Sequence, residues 1–249
     1  MRIPRCFVET SLAVDTEIPL PDTACEHLLR VLRLPAGAEL IVCNGDGIDY
    51  HARLGTAGRR SATATIFAQS ANATRSPLPI VLVQALARGE KMDWIVQKAT
   101  ELGVTAIAPV ITERTEVRLD DDRAQRRLAH WRAIAIAACE QCGRADLPRI
   151  SAPVRLGDHL AGIDTDTLRL TLDPEGQSLT RVLAMAPAKP DPIRIHLVVG
   201  PEGGLSGRDL AQLQAGRFQG ARLGPRILRT ETAGLAAIAA MQTLAGDFR

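Results

Sequence analysis

The 249-residue sequence holds no apolar run long enough to cross a bilayer and no secretory leader, which predicts a soluble, cytoplasmic protein with no membrane partner. Lysine is scarce: of 30 basic residues only Lys91, Lys98 and Lys189 are lysines. The planar arginine fork suits phosphates and bases, but genome composition produces the same excess, so the bias decides nothing alone. Neither sign of charge dominates. The net charge is +2, and residues 1–75 carry 8 basic and 8 acidic side chains, so charge by itself marks no nucleic-acid surface. Disulfide staples are excluded as well, because five cysteines is an odd number in a chain long enough to form its own core. Cys139-Glu-Gln-Cys142 has C-x-x-C spacing without the second pair, or the histidine pair, that a zinc site needs. Five reduced thiols and no metal are expected.

The residues that are present fall into two blocks. In residues 1–71, Ile48-Asp-Tyr-His-Ala-Arg-Leu54 alternates, with Ile48, Tyr50, Ala52 and Leu54 on one face. It follows Glu39–Cys43 across the turn Asn44-Gly-Asp-Gly47 and precedes a third run, Ser61–Ala68. A short helix over Asp22–Leu32, with Asp22 placed to cap it, completes a small antiparallel sheet or barrel. Residues 72–79 (Asn-Ala-Thr-Arg-Ser-Pro-Leu-Pro) break regular structure and read as a linker.

Residues 80–249 alternate strands with helices. Strands are predicted at Ile80–Leu86, Ala106–Ile111, Leu168–Leu172, Ile193–Val199 and Ala221–Leu223. Helices are predicted at Glu90–Leu102, from about Asp121 to Cys142, and at Leu179–Met185, Gly207–Ala215 and Glu231–Ala245. This order specifies an α/β domain with a mostly parallel sheet, whose ligands bind beyond the carboxyl ends of the strands.

Two glycine loops lie at such ends. The first, Gly200-Pro-Glu-Gly-Gly204, has no following lysine and is no P-loop. Nor is it a dinucleotide fingerprint, since Glu202 stands where a pyrophosphate needs bare N–H groups. Ser206 and Asp209 form a capping-box pattern for the next helix, which leaves the glycines unexplained. The second loop, Leu223-Gly-Pro-Arg-Ile-Leu-Arg-Thr-Glu-Thr-Ala233, again runs from a strand through Gly-Pro into a helix. Singly each is a turn; together they suggest one shared pocket.

These two segments resemble the C-terminal core of the SPOUT methyltransferases, and more narrowly the RsmE family, bacterial enzymes that methylate N3 of a uridine in 16S ribosomal RNA. The likeness runs along the chain through Met1-Arg-Ile-Pro-Arg5, His27-Leu-Leu-Arg-Val-Leu-Arg33, Arg88-Gly-Glu-Lys-Met92, Gln97-Lys-Ala-Thr-Glu-Leu-Gly-Val104 and Ala137-Ala-Cys-Glu-Gln-Cys-Gly-Arg144. It implies an α/β, SPOUT-type C-terminal domain with a deep trefoil knot, preceded by a small PUA-like β-barrel. It also implies S-adenosylmethionine in the knot, a homodimer, and RNA of the small ribosomal subunit, near the 3′ end, as substrate. Leu172-Asp-Pro-Glu175 departs from relatives with histidine before the proline, so no contact is carried over to Asp173 or Glu175.

S-adenosylmethionine has no phosphate, so the missing lysine and Glu202 cease to be anomalies. The candidate cofactor residues are Leu172, Val199, Gly200, Pro201, Glu202, Gly203, Gly204, Leu223, Gly224, Ile227, Leu228, Thr230, Thr232 and Ala233. The backbone of Leu223, Ile227 and Leu228 can pair with adenine, and Glu202 or Glu231 can sit near the sulfonium. Methylation at uracil N3 removes the imide proton and puts negative charge on the carbonyl oxygens, which a nearby arginine stabilises. Arg229 is the first candidate, with Arg144 and Arg226 as alternatives. Glu231 and Glu202 are the candidate bases. His196 reads as a strand residue. RNA contacts are expected from Arg2, Arg5, Arg30 and Arg33 in the first block and Arg88, Lys91 and Lys98 in the second. The helices Glu231–Ala245 and Glu90–Leu102, with Trp94, are the candidate dimer elements. The competing readings are a SPOUT enzyme acting at a ribose 2′-oxygen or guanine N1, a non-catalytic RNA-binding assembly factor, and a generic α/β nucleotide enzyme, which the glycine spacing disfavours.

Overall fold

The computed structural model describes residues 3–58, 61–116, 120–164, 166–185 and 194–248. The chain forms two compact units, one of Met1–Arg75 with Ile136–Leu147 and one of Ser76–Ala135 with Pro148–Arg249. The contiguous division expected at residues 71 and 80 is thereby modified, because a segment from mid-chain joins the first unit. Among the described residues no helix is long and apolar enough to cross a membrane.

In the first unit, β1 (Arg5–Phe7), β2 (Glu17–Pro19), β3 (Glu39–Cys43), β4 (Ile48–Ala57) and β5 (Ala62–Ala71) form one sheet in the order β1-β3-β4-β5-β2. The sheet is mixed: β1 runs parallel to β3, and the other pairs are antiparallel. Tyr50, Ala52 and Leu54 are buried on the alternation read from the sequence, packed with Leu28, Leu40, Val42, Ala64 and Ile66. The helix is α1 (Asp22–Cys25), which continues as a π-helix over Glu26–Val31. Its N-cap is Pro21 and makes no side-chain cap, so Asp22 is the first helical residue and not the cap. Arg33, at φ +51°, turns the chain just past the helix end, the left-handed step that commonly ends a helix.

The mid-chain segment is tied to this unit by specific bonds. Glu140 accepts a 2.8 Å hydrogen bond from the Phe7 amide, and Asn72 donates to both Asp49 and the Gly143 carbonyl. Burial raises the Glu140 pKa, although the Phe7 amide opposes it. All five cysteines are free, as the sequence predicts. Burial pushes the Cys43 and Cys139 thiols up to about 11 and about 12, which keeps them protonated and unreactive at neutral pH.

The second unit contains, in order, β6 (Ile80–Ala85), α2 (Lys91–Glu101), β7 (Ala106–Ile111), α3 (Asp121–Cys142, whose last turns belong to the first unit), β8 (Arg149–Ile150), β9 (Val154–Arg155), α4 (Leu156–Ala161), β10 (Thr167–Ser178), α5 (Leu179–Ala184), β11 (Arg194–Val199), α6 (Gly207–Ala215), β12 (Gln219–Arg222) and α7 (Thr230–Ala245). The seven strands are parallel throughout, in the order β12-β10-β11-β6-β7-β8, with β9 also on β7. Two-residue β8 and β9 and the single-turn-scale α4 carry too little periodicity to be read from sequence. β10 extends beyond its apolar run to Ser178, with a register shift between Leu172 and Gln177 against β12. There the backbones nearly touch: a Cβ on Gly176 would lie 2.5 Å from the Gly220 carbonyl carbon. α2 buries Met92, Ile95, Val96 and Ala99 at helical spacing and packs against α7.

Candidate functional site

The two glycine loops meet. A cavity of about 630 Å³ lies beside β10 at the carboxyl ends of β11 and β12, within the usual range for a small-molecule site. It is lined by the middle of β10, where its apolar run ends (Leu172, Asp173, Pro174), the first loop with Val199, Gly200, Pro201, Glu202, Gly204 and Leu205, and Leu210 of α6. Opposite are Ala221 to Gly224, Arg226 to Glu231 and Ala233, with Lys91 from α2. Of the expected cofactor residues, Gly203 and Thr232 are not on this lining. The Gly203 carbonyl instead accepts a 2.9 Å bond from Arg114, and the Thr232 amide is spent on the Arg229 carbonyl inside the first turn of α7. Lys91, Asp173, Pro174, Leu205, Leu210, Ala221 and Arg222 were not anticipated, since tertiary folding alone brings their elements to the cleft.

Local structure explains the loop shapes. Ser206 caps α6 in a full capping box with Asp209, the arrangement read from the sequence. Gly200 is tightly enclosed, since a Cβ would meet Leu205 Cγ at 3.1 Å and the Leu205 amide nitrogen at 3.3 Å and would press on that residue. Gly224 has φ +77° and faces open space, so its backbone borders the cavity directly. The Thr230 hydroxyl, on the first residue of α7, donates to the Gly200 carbonyl at 2.6 Å and accepts from Gln84 Nε2 at 3.0 Å. Buried Gln84 at the end of β6 thus holds the two loops at one junction.

The charged groups are arranged as a triad. Lys91 Nζ lies 2.9 Å from Glu202 Oε1 and 3.5 Å from Glu231 Oε2, and the Arg88 amide donates to Glu202 at 3.1 Å. Partial burial raises the Glu202 pKa, but the Lys91 and Arg88 hydrogen bonds outweigh it and hold the carboxyl below its ordinary value. Glu202 is therefore ionised and already paired. Glu231 keeps a buried oxygen, Oε2, with no hydrogen-bond partner beyond the longer Lys91 contact. Arg229 is the N-cap residue of α7, is exposed on the cavity lining, and makes no ion pair among the described residues. Among the described residues no salt bridge joins it to Glu231, whose Oε2 lies 3.5 Å from Lys91 Nζ.

Other expected residues lie elsewhere. The Arg144 guanidinium is buried and paired with Asp146 at 2.8 Å, and it is not among the residues that line this cavity. Arg5 is paired with Asp49 at 2.5 Å with its side chain only 6% exposed, so it ties β1 to β4. Lys91 lies on the cavity lining. Arg88 pairs with Glu116, and Lys98 pairs with Glu101 while lying 5.1 Å from the Trp94 ring centroid. Arg30 and Arg33 are exposed. Arg2 lies outside the described residues. His196 is a buried strand residue beside His159, and burial pushes its pKa down to about 4.

A cleft with apolar walls at Leu172, Val199, Leu223, Ile227 and Leu228, glycine backbone exposed between them, and two carboxylates at its edge suits an uncharged heterocycle joined to a cation. It disfavours a polyphosphate. Residues 74–242 match the RNA methyltransferase domain family, and residues 20–67 match the RNA methyltransferase PUA domain. The chain is 32% identical to the ribosomal RNA small subunit methyltransferase E of Synechocystis sp., over 96% of this chain and 77% of that one. It is 28% identical to the protein of that name from Bacillus subtilis, over 98% and 99% of the two chains. The crystal structure of the Neisseria gonorrhoeae ribosomal RNA small subunit methyltransferase E bound to S-adenosyl methionine is 38% identical, with both chains fully covered and a TM-score of 0.90.

Proposed function

The chain belongs to the ribosomal RNA small subunit methyltransferase E (RsmE) family of RNA methyltransferases, and from that premise we propose that it methylates N3 of one uridine in 16S ribosomal RNA, using S-adenosylmethionine. The observation that carries this reading is the junction of the two loops at Thr230 and Gly200, which forms one cleft with Arg229 and Glu231 on its rim. The residues present fit the cofactor: Gly224 offers bare backbone, the apolar walls match an adenine ring, and the carboxylates favour a sulfonium over a phosphate. When bound, S-adenosylmethionine supplies an electrophilic methyl group whose departure leaves a neutral thioether.

Each residue then has a distinct task. Lys91 neutralises Glu202 and fixes it beside the Arg88 amide, so Glu202 orients the cleft instead of accepting protons. Glu231, with an oxygen free of hydrogen bonds, is the group placed to accept the N3 proton, which then passes to solvent. Arg229 has no competing carboxylate and can donate to a uracil carbonyl oxygen as negative charge grows there, stabilising the transition state more than the ground state. The target uracil must be unpaired or flipped, because N3 is buried in a Watson–Crick pair. Arg30 and Arg33, exposed in the first unit, are candidates for RNA contact.

A homodimer and a deep trefoil knot are part of the same proposal. α2 and α7 pack together, and each leaves a large apolar side chain in solvent, Trp94 at 53% and Leu244 at 48%. β12 sits at the sheet edge beside β10 while α7 returns to β6 and β11, a crossing that the second loop must make and that supports a threaded chain. The cytoplasm is the compartment in which such an enzyme meets its substrate. A non-catalytic assembly factor would leave the clamped glycine loops and the Lys91 triad without a purpose. Mass mapping of modified nucleosides in ribosomal RNA from a deletion strain tests the proposal. Loss of a 3-methyluridine from 16S RNA, restored by the cloned gene, is expected; loss of a ribose-methylated nucleoside or of 1-methylguanosine instead would assign another specificity, and no loss would reject the enzyme.

A further inference from the structure

The first unit holds two phenylalanines and one tyrosine, and two of these three, Phe7 and Tyr50, are buried. Phe67 is 40% exposed on β5. The ladder between β4 and β5 explains its position. Ala68 stands opposite His51 and Ile66 opposite Ala52, so Phe67 is the extra residue of a β-bulge. Bulges re-aim side chains at functional edges. Here Ile66 stays in the core while the phenyl ring is held on the solvent face. Two groups on β4 frame it. The Arg53 guanidinium carbon lies 4.8 Å from the ring centroid, and the His51 ring centroid lies 6.3 Å away, with the His51 ring bonded to Ser70 Oγ at 3.0 Å. Arg53 has only a loose 3.9 Å contact with Glu39, and both side chains are more than half exposed, so the guanidinium is free to turn to another anion.

A lone exposed apolar residue needs no explanation. A ring extruded by a bulge and flanked by a guanidinium and an imidazole does. The surroundings also select the occupant. Thr65, paired with Arg53, and, past the bulge, Ser70, paired with Asp49, share this face of β5 and are exposed and polar, so no large apolar side chain of β5 extends the ring into a patch for a protein partner. An unpaired base offers a flat π-face for Phe67 and an anionic phosphate for Arg53, the pairing that single-strand-binding sheets use. We propose that Phe67, with Arg53 and His51, is a stacking site for one unpaired RNA base, which anchors the substrate through the first unit while the second unit carries out the chemistry.

This inference rests on the proposed action on ribosomal RNA, and its test separates the two. Full-length wild type and the variants Phe67→Ala, Phe67→Leu and Phe67→Trp would be compared for binding to a labelled oligouridylate by anisotropy. The same proteins would be compared in methyl transfer to small subunits from a strain lacking the enzyme. Phe67→Ala should weaken oligouridylate binding and raise KM for the subunit roughly tenfold, the scale of one base–aromatic stack, with kcat and cofactor affinity unchanged. Phe67→Leu should bind no better than Phe67→Ala, and Phe67→Trp should match or exceed wild type. Leucine restoring binding, alanine leaving it unchanged, or a loss seen on subunits but not on oligouridylate would overturn the stacking site, the last by pointing to a protein contact. Wild type that binds oligouridylate through Phe67 yet methylates no subunit would defeat the proposed reaction and leave this site standing.

Discussion

The Thr230 hydroxyl donates a 2.6 Å hydrogen bond to the carbonyl of Gly200, thirty positions earlier in the sequence, and so fastens the second glycine loop to the first. Gln84 supports the bond from β6 by donating to the same hydroxyl. Thr230→Val keeps the shape but leaves the Gly200 carbonyl and the Gln84 amide without this partner, a cost of about 1–3 kcal/mol for each group that stays buried and unpaired. Cofactor affinity is expected to fall at least fivefold by calorimetry, while Thr230→Ser retains most of it. Equal affinity in Thr230→Val and wild type would show that the loops hold their places without the bond.

The glycines of the two loops are expected to differ in what they tolerate. Gly224→Val places a β-branched residue at φ +77°, a backbone it rarely adopts, and so distorts the cavity lining there, and binding of S-adenosylmethionine should be lost. Gly200→Val drives its side chain into Leu205 and should lose both binding and some thermal stability. Gly203→Ala is the control, since a Cβ there meets Arg114 only at 3.5 Å and faces away from the lining. Calorimetry on the three variants checks the pattern, and undiminished binding by both valine variants would move the site.

Arg229→Ala should lower single-turnover methylation of small subunits by roughly 10²-fold or more, the scale of losing one preorganised donor. Cofactor affinity should change far less, because the interaction strengthens only in the transition state. With no ion pair to break, the melting temperature should stay near that of wild type. Arg229→Lys should rescue poorly, since it keeps the charge and loses the fork. Normal turnover in Arg229→Ala would pass the role to Arg226 on the same lining.

His196 makes stability acid-sensitive. Burial first, then the neighbouring His159, Arg194 and Arg169, hold its pKa down to about 4, against Asp164, while the unfolded chain titrates near 6.5. Above pH 6.5 both states are neutral and the full stability is present. As pH falls toward 4 the unfolded state takes up a proton that the folded state refuses, so stability is lost over that window. His196→Leu removes this proton uptake, and its urea midpoint should decline less between pH 7 and pH 4.5 than that of wild type. Equal declines would assign the acid sensitivity to other groups.

Light scattering should report a dimer at micromolar concentration, and Trp94→Glu, which places a charge on exposed α2 surface, should shift it to monomer. A monomeric wild type would reject the dimer, and an undisturbed dimer in the variant would move the interface off α2.

By itself the sequence determined what depends on short-range periodicity and on local chemistry. Strands β3 and β7 and helix α6 match their predicted bounds because alternation, apolar runs and the Ser206–Asp209 box are complete within a few residues. Both glycine loops were legible because their spacing excluded phosphate-binding motifs. The tertiary structure alone decided which charges meet. Arg5 and Asp49 are 44 positions apart, and Lys91 and Glu202 are 111 apart, so no window on the chain could show that one pair is a buried strut and the other stands at the edge of a cleft. Arg144 looked available beside its motif, yet folding buries it against Asp146. The transfer of residues 136–147 to the first unit has the same cause, since the end of α3 continues the helical period of its start. Periodicity fixes the face a residue presents within its own element. What that face meets depends on chain segments far away in sequence, and those contacts exist only once the sheet order is set.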